Sequence, residues 1–232
     1  LNQTYKINLT TTIENFKIGV SHSTGLRNPS LYELYGAADY NYKGNRNLDA
    51  EKSNTNEVFA SYDLKQNLTI KATSYRTTIF DRIEQTSDYM SYENKKLNLN
   101  QEGLESELIF NGENQKISLF TNFSKSKTTN GSAQLRRPDI TYGGNYFKKF
   151  NNSLVGIFDI NLNYKFTGKH WDISSGNVEV KSTHIINFAA TKNLYGSIWN
   201  LNISNLLNER YERPITYSQD GRQLRIGFTR KF

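Results

Sequence analysis

The sequence predicts an all-β chain, folded as a transmembrane antiparallel β-barrel meander of about eleven strands, and three observations carry that prediction. The first is an apolar/polar alternation of period two in segment after segment. No apolar run reaches the ~20 residues of a membrane-spanning helix, and mean hydropathy is −0.70. A barrel wall needs only alternate residues apolar, so its hydropathy average hides it. The second is that the connections between segments alternate short and long. A meander threading a bilayer has tight turns at one end and longer loops at the other. The third is the final segment, Arg222 to Phe232, in which Leu224, Ile226, Phe228 and Phe232 share one face against Gln223, Arg225, Thr229 and Lys231. A strand that ends flush on an aromatic suggests a wall sealed against lipid, and a soluble sheet edge is the equally open reading of this strand taken alone.

The strands are expected as follows. Gln3 to Ile13 places Tyr5, Ile7, Leu9, Thr11 and Ile13 on one face, and Phe16 to Thr24 returns after the turn Glu14–Asn15. Glu51 to Leu64 and Asn67 to Phe80 form the next pair, across Lys65–Gln66. Asn94 to Phe110 and Lys116 to Ser126 follow, joined through Asn111-Gly112, a strong hairpin dipeptide. Arg136 to Phe150 and Ser153 to Phe166 are the fourth pair. The second of these has the clearest alternation, Leu154, Phe158, Ile160, Leu162, Tyr164 and Phe166 against Asp159, Asn161, Asn163 and Lys165. Val180 to Lys192 and Ser197 to Leu207 are the fifth, with Trp199, Leu201 and Ile203 sharing a face. The long links are Gly25 to Ala50, Asp81 to Glu93, Lys127 to Leu135, Thr167 to Glu179 and Asn208 to Gly221. Pro29 and Pro214 fall in long links and Pro138 opens a strand, so no proline deletes a mid-strand ladder bond.

If the last strand ends in the periplasm, every long link lies outside the cell. Trp171 then sits near the outer membrane interface and Trp199 near the inner one, where tryptophan anchors. Eleven is an odd count and an open sheet exposes two edges that lipid cannot satisfy, so further strands upstream of Leu1 are expected to complete the wall.

Composition excludes several function classes. The net charge of +7 is spread along the chain with no basic stripe, so nucleic acid is not an expected partner. With 0 cysteines there is no disulfide, thiolate metal site or cysteine nucleophile. His22, His170 and His184 have no metal-ligand spacing. Ser182 and His184, two apart, are the nearest approach to a hydrolytic pair, a spacing that chance supplies easily. No catalytic residue, metal or cofactor is therefore assigned. Gly143-Gly144 is expected to relieve crowding or mark a bulge.

Four stretches resemble those of TonB-dependent outer-membrane receptors. They are Thr24-Gly25-Leu26-Arg27-Asn28-Pro29-Ser30-Leu31-Tyr32-Glu33-Leu34-Tyr35-Gly36, Gly44 to Ser53, Asn205 to Tyr211, and the terminal strand. Their order and spacing match as well, over nearly the whole chain. Asn28, Arg46 and Ala50 stand where the family has Ala, Pro and Pro. The resemblance implies that residues 1–232 are the C-terminal half of a 22-strand barrel, with the plug domain and TonB-contacting box outside this chain. Within the family, Leu135-Arg136-Arg137-Pro138 and Gln219-Asp220-Gly221-Arg222 look most like transporters of cobalamin (vitamin B12). The implied function is TonB-dependent active transport across the bacterial outer membrane, of cobalamin first, with a ferric siderophore or haem receptor as the alternative. A passive porin-like barrel and a soluble β-sheet binding protein are the readings from other classes. Implied partners are the TonB complex, through the missing N-terminal part, outer-membrane lipid, the barrel assembly machinery through the C-terminal strand, and a large small-molecule ligand.

The residues themselves offer ligand candidates in the link Gly25 to Ala50. Tyr32, Tyr35, Tyr40 and Tyr42 provide flat apolar area with polar tips, and Arg46 adds a cation, a mixture suited to a ring-bearing ligand. The alternative is that these tyrosines pack the link on itself, and Arg27 with Glu33 is readable as a structural pair at the rim. Membrane-interface and assembly roles are expected for Trp171, Trp199, Phe228 and Phe232. Asp159, Lys165, Arg225 and Lys231 are expected to face the lumen.

Overall fold

The structure is a computed structural model that describes residues 3–37, 42–152, 156–173 and 176–230. Expectations placed on Tyr40, Leu154, Lys231 and Phe232 lie outside the described residues. Strands β1 (Lys6–Ile13) and β2 (Phe16–Arg27) form the first hairpin. A short helix α1 (Leu31–Tyr35) and a ribbon of β3 (Gly36–Ala37) and β4 (Tyr42–Lys43) occupy the link that follows. Then come β5 (Glu51–Lys65) and β6 (Leu68–Phe80), and a second ribbon of β7 (Arg82–Gln85) and β8 (Tyr92–Lys95). The hairpins β9 (Leu99–Gly112) with β10 (Gln115–Thr128), and β11 (Ile140–Asn152) with β12 (Gly156–Thr167), continue the wall. A third ribbon, β13 (His170–Ile173) and β14 (Asn177–Val180), precedes β15 (Thr183–Leu194), β16 (Ser197–Ser204) and β17 (Gln223–Arg230).

The wall is an 11-stranded antiparallel meander in the order β1-β2-β5-β6-β9-β10-β11-β12-β15-β16-β17. Each expected strand is present, and the three ribbons all sit in long links at one end of the sheet. The register keeps one parity across the sheet, apart from a shift between Asp63 and Lys65 beside the β5–β6 turn. Leu9 faces Val20, Val20 faces Val58, and Ile70 faces Leu108, which faces Leu119. Tyr146 faces Leu162, Leu162 faces Phe188, Phe188 faces Ile203 and Ile203 faces Leu224. One face is thus apolar from the first strand to the last, with Ile7, Leu9, Val58, Leu119, Ile226 and Phe228 exposed on it. A one-residue slip anywhere would turn a strand's apolar set to the other side. The opposite face carries Lys71, Glu105, Glu107, Asp159, Lys165 and Arg225, a polar lumen wall.

Several boundaries differ from expectation, each for a local reason. The seventh strand starts at Ile140, not Arg136, because Arg136 has φ 61°, so Pro138 lies in the link. Asn94 belongs to ribbon β8 and Val180 to ribbon β14. Asn205, at φ 50°, ends β16 before Leu207. Asn111 and Gly112 finish β9, where Gly112 faces Gln115, so the turn is Glu113–Asn114 instead of the Asn-Gly pair. Gly143-Gly144 marks no bulge: β11 pairs in unbroken register with both neighbours. A Cβ on Gly143 would run into the Tyr164 carbonyl and lie 3.0 Å from the Phe120 ring. The same device recurs on the lumen face, where Phe59 lies over its cross-strand partner Gly19 and Tyr75 over its partner Gly103. Glycine lets these rings lie flat on the wall and leaves the lumen clear.

Candidate functional site: the crown of long links

The first link is built around Arg27, the last residue of β2. Its guanidinium donates to both oxygens of Glu51, at 2.7 and 3.1 Å, and to both oxygens of Glu33, at 3.1 and 3.2 Å. Ser30 caps α1: its hydroxyl accepts from the Glu33 amide at 3.2 Å, and Glu33 accepts from the Ser30 amide at 2.7 Å. This reciprocal capping box satisfies two orphan helix donors. Burial alone would raise the Glu33 pKa, but the Ser30 amide and Arg27 outweigh it and hold the carboxyl below its ordinary value. Arg27 and Glu33 are thus a structural pair, and Glu51 extends the knot by accepting from the Ile83 amide at 2.7 Å.

The second link is bolted to the first. Tyr42 is buried, stacked on Tyr32 with ring centroids 4.6 Å apart and edge-on to Tyr92 at 5.7 Å. Burial pushes its phenol up to about 12. The Asn45 amide group donates to the Tyr92 carbonyl at 2.9 Å. Asn94 donates to the carbonyls of Asp49 and Asp81, at 3.0 and 2.6 Å, and accepts from the Asp49 amide at 2.8 Å.

The last three links converge on Asp172, whose side chain is fully buried at 0 % exposure. Its carboxylate accepts from Arg136 Nε at 2.6 Å, the Ile173 amide at 2.8 Å and the Ile215 amide at 2.9 Å. Burial opposes the charge, yet the Ile215 amide, Arg136 and the Ile173 amide together keep the carboxyl below its ordinary value. Asn205 closes the final link by accepting from the Glu209 amide and donating to the carbonyls of Glu209 and Asp220.

Of the ligand candidates, Tyr42 is inside the link's own packing, whereas Tyr32 and Tyr35 are half exposed. Arg46 lies over the Tyr35 ring at 5.0 Å, a cation–π contact on the crown surface. Trp171 projects from β13 in the fourth link, and Trp199 stacks on Phe228 at 5.4 Å near the short-turn end of the apolar face. Asp159, Lys165 and Arg225 stand on the lumen parity. Sequence reasoning missed Asp172, Asn94 and the α1 cap as organisers. The Ser30–Glu33 spacing was a readable capping signal, but the partners of Asp172 are 36 and 43 residues away in sequence.

Enzymatic readings gain nothing from the geometry. The His184 ring bonds the Tyr164 hydroxyl at 2.9 Å and its amide donates to Glu209, while Ser182 precedes β15. Among the described residues no group of three or more His, Cys, Asp or Glu is placed to hold a metal ion.

A family model described as TonB dependent receptor-like, beta-barrel matches residues 2–206. No curated protein matches the chain. Among solved structures, the FrpB iron transporter from Neisseria meningitidis aligns with TM-score 0.77 at 15% identity, over 100% of this chain and 39% of its own. The ferric-catecholate import receptor Fiu from E. coli aligns with TM-score 0.76 at 16% identity, over 97% and 34%. The siderophore receptor PirA from Acinetobacter baumannii aligns with TM-score 0.78 at 15% identity, over 98% and 40%. At these identities the likeness concerns the fold, and the chain spans two-fifths or less of each of those proteins. A meander apolar on one face, with its long links gathered at one end and the family model matched across most of its length, leads to one assignment: the chain belongs to the TonB-dependent receptor β-barrel family, whose members are outer-membrane receptors and transporters and not enzymes.

Proposed function

We propose that this chain is the C-terminal half of a 22-strand barrel in a receptor that imports a ferric siderophore across the outer membrane under TonB drive. Among the described residues β1 and β17 each have a neighbour on one side only, and eleven strands are half of such a wall. Residues 1–232 act as wall, lumen and external links. A plug and the TonB contact belong to an N-terminal part, outer-membrane lipid bathes the apolar face, and assembly runs through the C-terminal strand.

The observation that carries the ligand reading is the exposed Tyr32, Tyr35 and Arg46 on a hydrogen-bonded crown. Aromatic faces beside a cation complement an anionic chelate with ring donors. The solved structures named above are an iron transporter, a ferric-catecholate receptor and a siderophore receptor, which favours iron chelates over the cobalamin that the sequence put first. The residues behind the cobalamin resemblance are engaged within the fold: Arg136 with Asp172, the Asp220 carbonyl with Asn205, and the Gln219 side chain with the Arg213 carbonyl.

The test is tyrosine and tryptophan fluorescence of the full-length receptor titrated with a ferric tris-catecholate and, separately, with cyanocobalamin. Saturable quenching by the ferric chelate alone is expected. The Tyr35→Ala/Arg46→Ala variant should bind about tenfold more weakly, ~1.4 kcal/mol. Saturable binding of cyanocobalamin without the ferric chelate would overturn the iron assignment.

A further inference from the structure

A hollow of about 320 Å³ lies where the last three links meet the lumen wall. Arg136, His170, Asp172 and Arg213 border it from the links, and Lys165 and Thr167 border it from β12. Among the described residues Asp172 is the one carboxylate on that border. Its oxygens are committed to Arg136 and to the Ile173 and Ile215 amides. Three cationic side chains thus share a pocket with a single anion that is already engaged.

Arg213 is the least satisfied of the three. Its Nε is buried and has no hydrogen-bond acceptor. Its Nη2 reaches only the Thr183 hydroxyl, at 3.5 Å, and its guanidinium lies 5.7 Å from the Tyr211 ring centroid. Glu212, next along the chain, accepts instead from the Thr216 amide at 2.7 Å. Among the described residues no ion pair includes Arg213 or Lys165. On its other side Lys165 borders a lumen hollow that holds Glu105 and Glu107. Glu107 is paired there with Lys71 at 3.4 Å, and Glu105 offsets part of the Lys165 charge. A buried guanidinium nitrogen without an acceptor costs free energy, so an acceptor from outside the chain would stabilise this corner. Guanidinium forks match oxyanions bidentately, and a lysine adds a point charge. The hollow has room for about ten water volumes of ~30 Å³, more than a lone phosphate fills. A small polycarboxylate fills it and presents a carboxylate at each end.

We propose that this pocket seats a compact polycarboxylate anion, one carboxylate on the Arg213 guanidinium and another on Lys165, with Arg136 at its edge. Once occupied, the seat ties the last link to the lumen wall through the anion. It rests on these side chains and not on the identity of the imported chelate, whose aromatic patch of Tyr32, Tyr35 and Arg46 belongs to the first link.

The test is isothermal titration calorimetry of the full-length receptor with iron-free citrate, its uncharged trimethyl ester and inorganic phosphate. Citrate is expected to bind saturably and at least tenfold more tightly than either of the others. Arg213→Gln/Lys165→Gln should weaken citrate at least tenfold. Citrate should also slow amide exchange of the wild type within residues 211–219, which places the anion without any variant. Absence of saturable citrate binding would overturn the proposal. So would equal binding of the ester or of phosphate, unchanged exchange in the last link, or unchanged affinity in the double variant. The wild-type measurements stand by themselves, so a folding defect in the variant leaves the proposal exposed to refutation. Titration of the same preparation with the ferric tris-catecholate keeps the two readings apart: citrate bound and the chelate refused would support the seat and count against the iron assignment alone.

Discussion

Asp172 shows what a single buried carboxylate does for this crown. It draws Arg136, Ile173 and Ile215, which belong to three different links, onto one side chain. Its folded pKa is lowered, so its contribution is present above the unfolded aspartate value of ~3.9 and is lost as pH falls through the lower folded value. Amide exchange at Ile173 and Ile215 should therefore be protected at pH 7 and lose that protection under strong acid. Asp172→Asn should lose about 1–3 kcal/mol of local protection at pH 7, because it removes the charge that meets Arg136 and swaps an acceptor for a donor. Arg136 is 57 % exposed, which keeps the loss below that of a fully buried ion pair. Unchanged exchange at both amides would remove Asp172 from its organising role. Gly143 is a second residue-scale test. Its added Cβ would meet the Tyr164 backbone as well as the Phe120 ring. Gly143→Ala should lower the unfolding temperature of the barrel, and Phe120→Ala should not restore it, since the backbone contact remains. Full rescue by Phe120→Ala would mean that the ring contact alone matters.

At the scale of elements, the wall strands and the crown ribbons obey different rules. Every wall strand separates an apolar face from a polar one, so each leaves a period-two signature long enough to read, as Phe158 to Phe166 does. The ribbons span 2 to 4 residues per strand, too short for any period. They are held by side-chain amides and carboxylates whose partners lie far away in sequence, as Asn94 holds Asp49 across 45 positions. That is why the eleven strands were legible and the interlocking of the links was not. The displaced boundaries have the same origin: Arg136 and Asn205 take positive φ to serve the crown, overriding the extended pattern around them. Crown and wall should thus fail separately. Asn94→Ala removes two hydrogen bonds between the first and second links and one within the second, and should speed proteolysis within residues 28–50 and 81–98 about tenfold. The wall should keep its heat-modifiable migration on gels. Loss of heat modifiability would show that the wall depends on this crown contact.

For the whole molecule, one apolar face and one polar face run unbroken through eleven strands, and every link bearing a ribbon or helix lies at the same end. From the pattern of short periplasmic turns and long external loops in outer-membrane barrels, the crown is expected outside the cell and the tight turns in the periplasm. Of the candidate site, the sequence revealed which link is rich in tyrosine. It did not reveal that Tyr42 is spent on packing while Tyr32, Tyr35 and Arg46 remain at the surface, because burial inside a link depends on the neighbouring link's Tyr92. The most direct measurement is cysteine accessibility in living cells, made simple by the absence of native cysteine in these 232 residues. Tyr89→Cys and Tyr217→Cys report on long links, and Glu113→Cys and Tyr195→Cys on short turns. The account expects a membrane-impermeant maleimide to label the first two in intact cells, and the last two only after the outer membrane is breached. Labelling of Glu113→Cys and Tyr195→Cys in intact cells, with Tyr89→Cys and Tyr217→Cys protected, would contradict it.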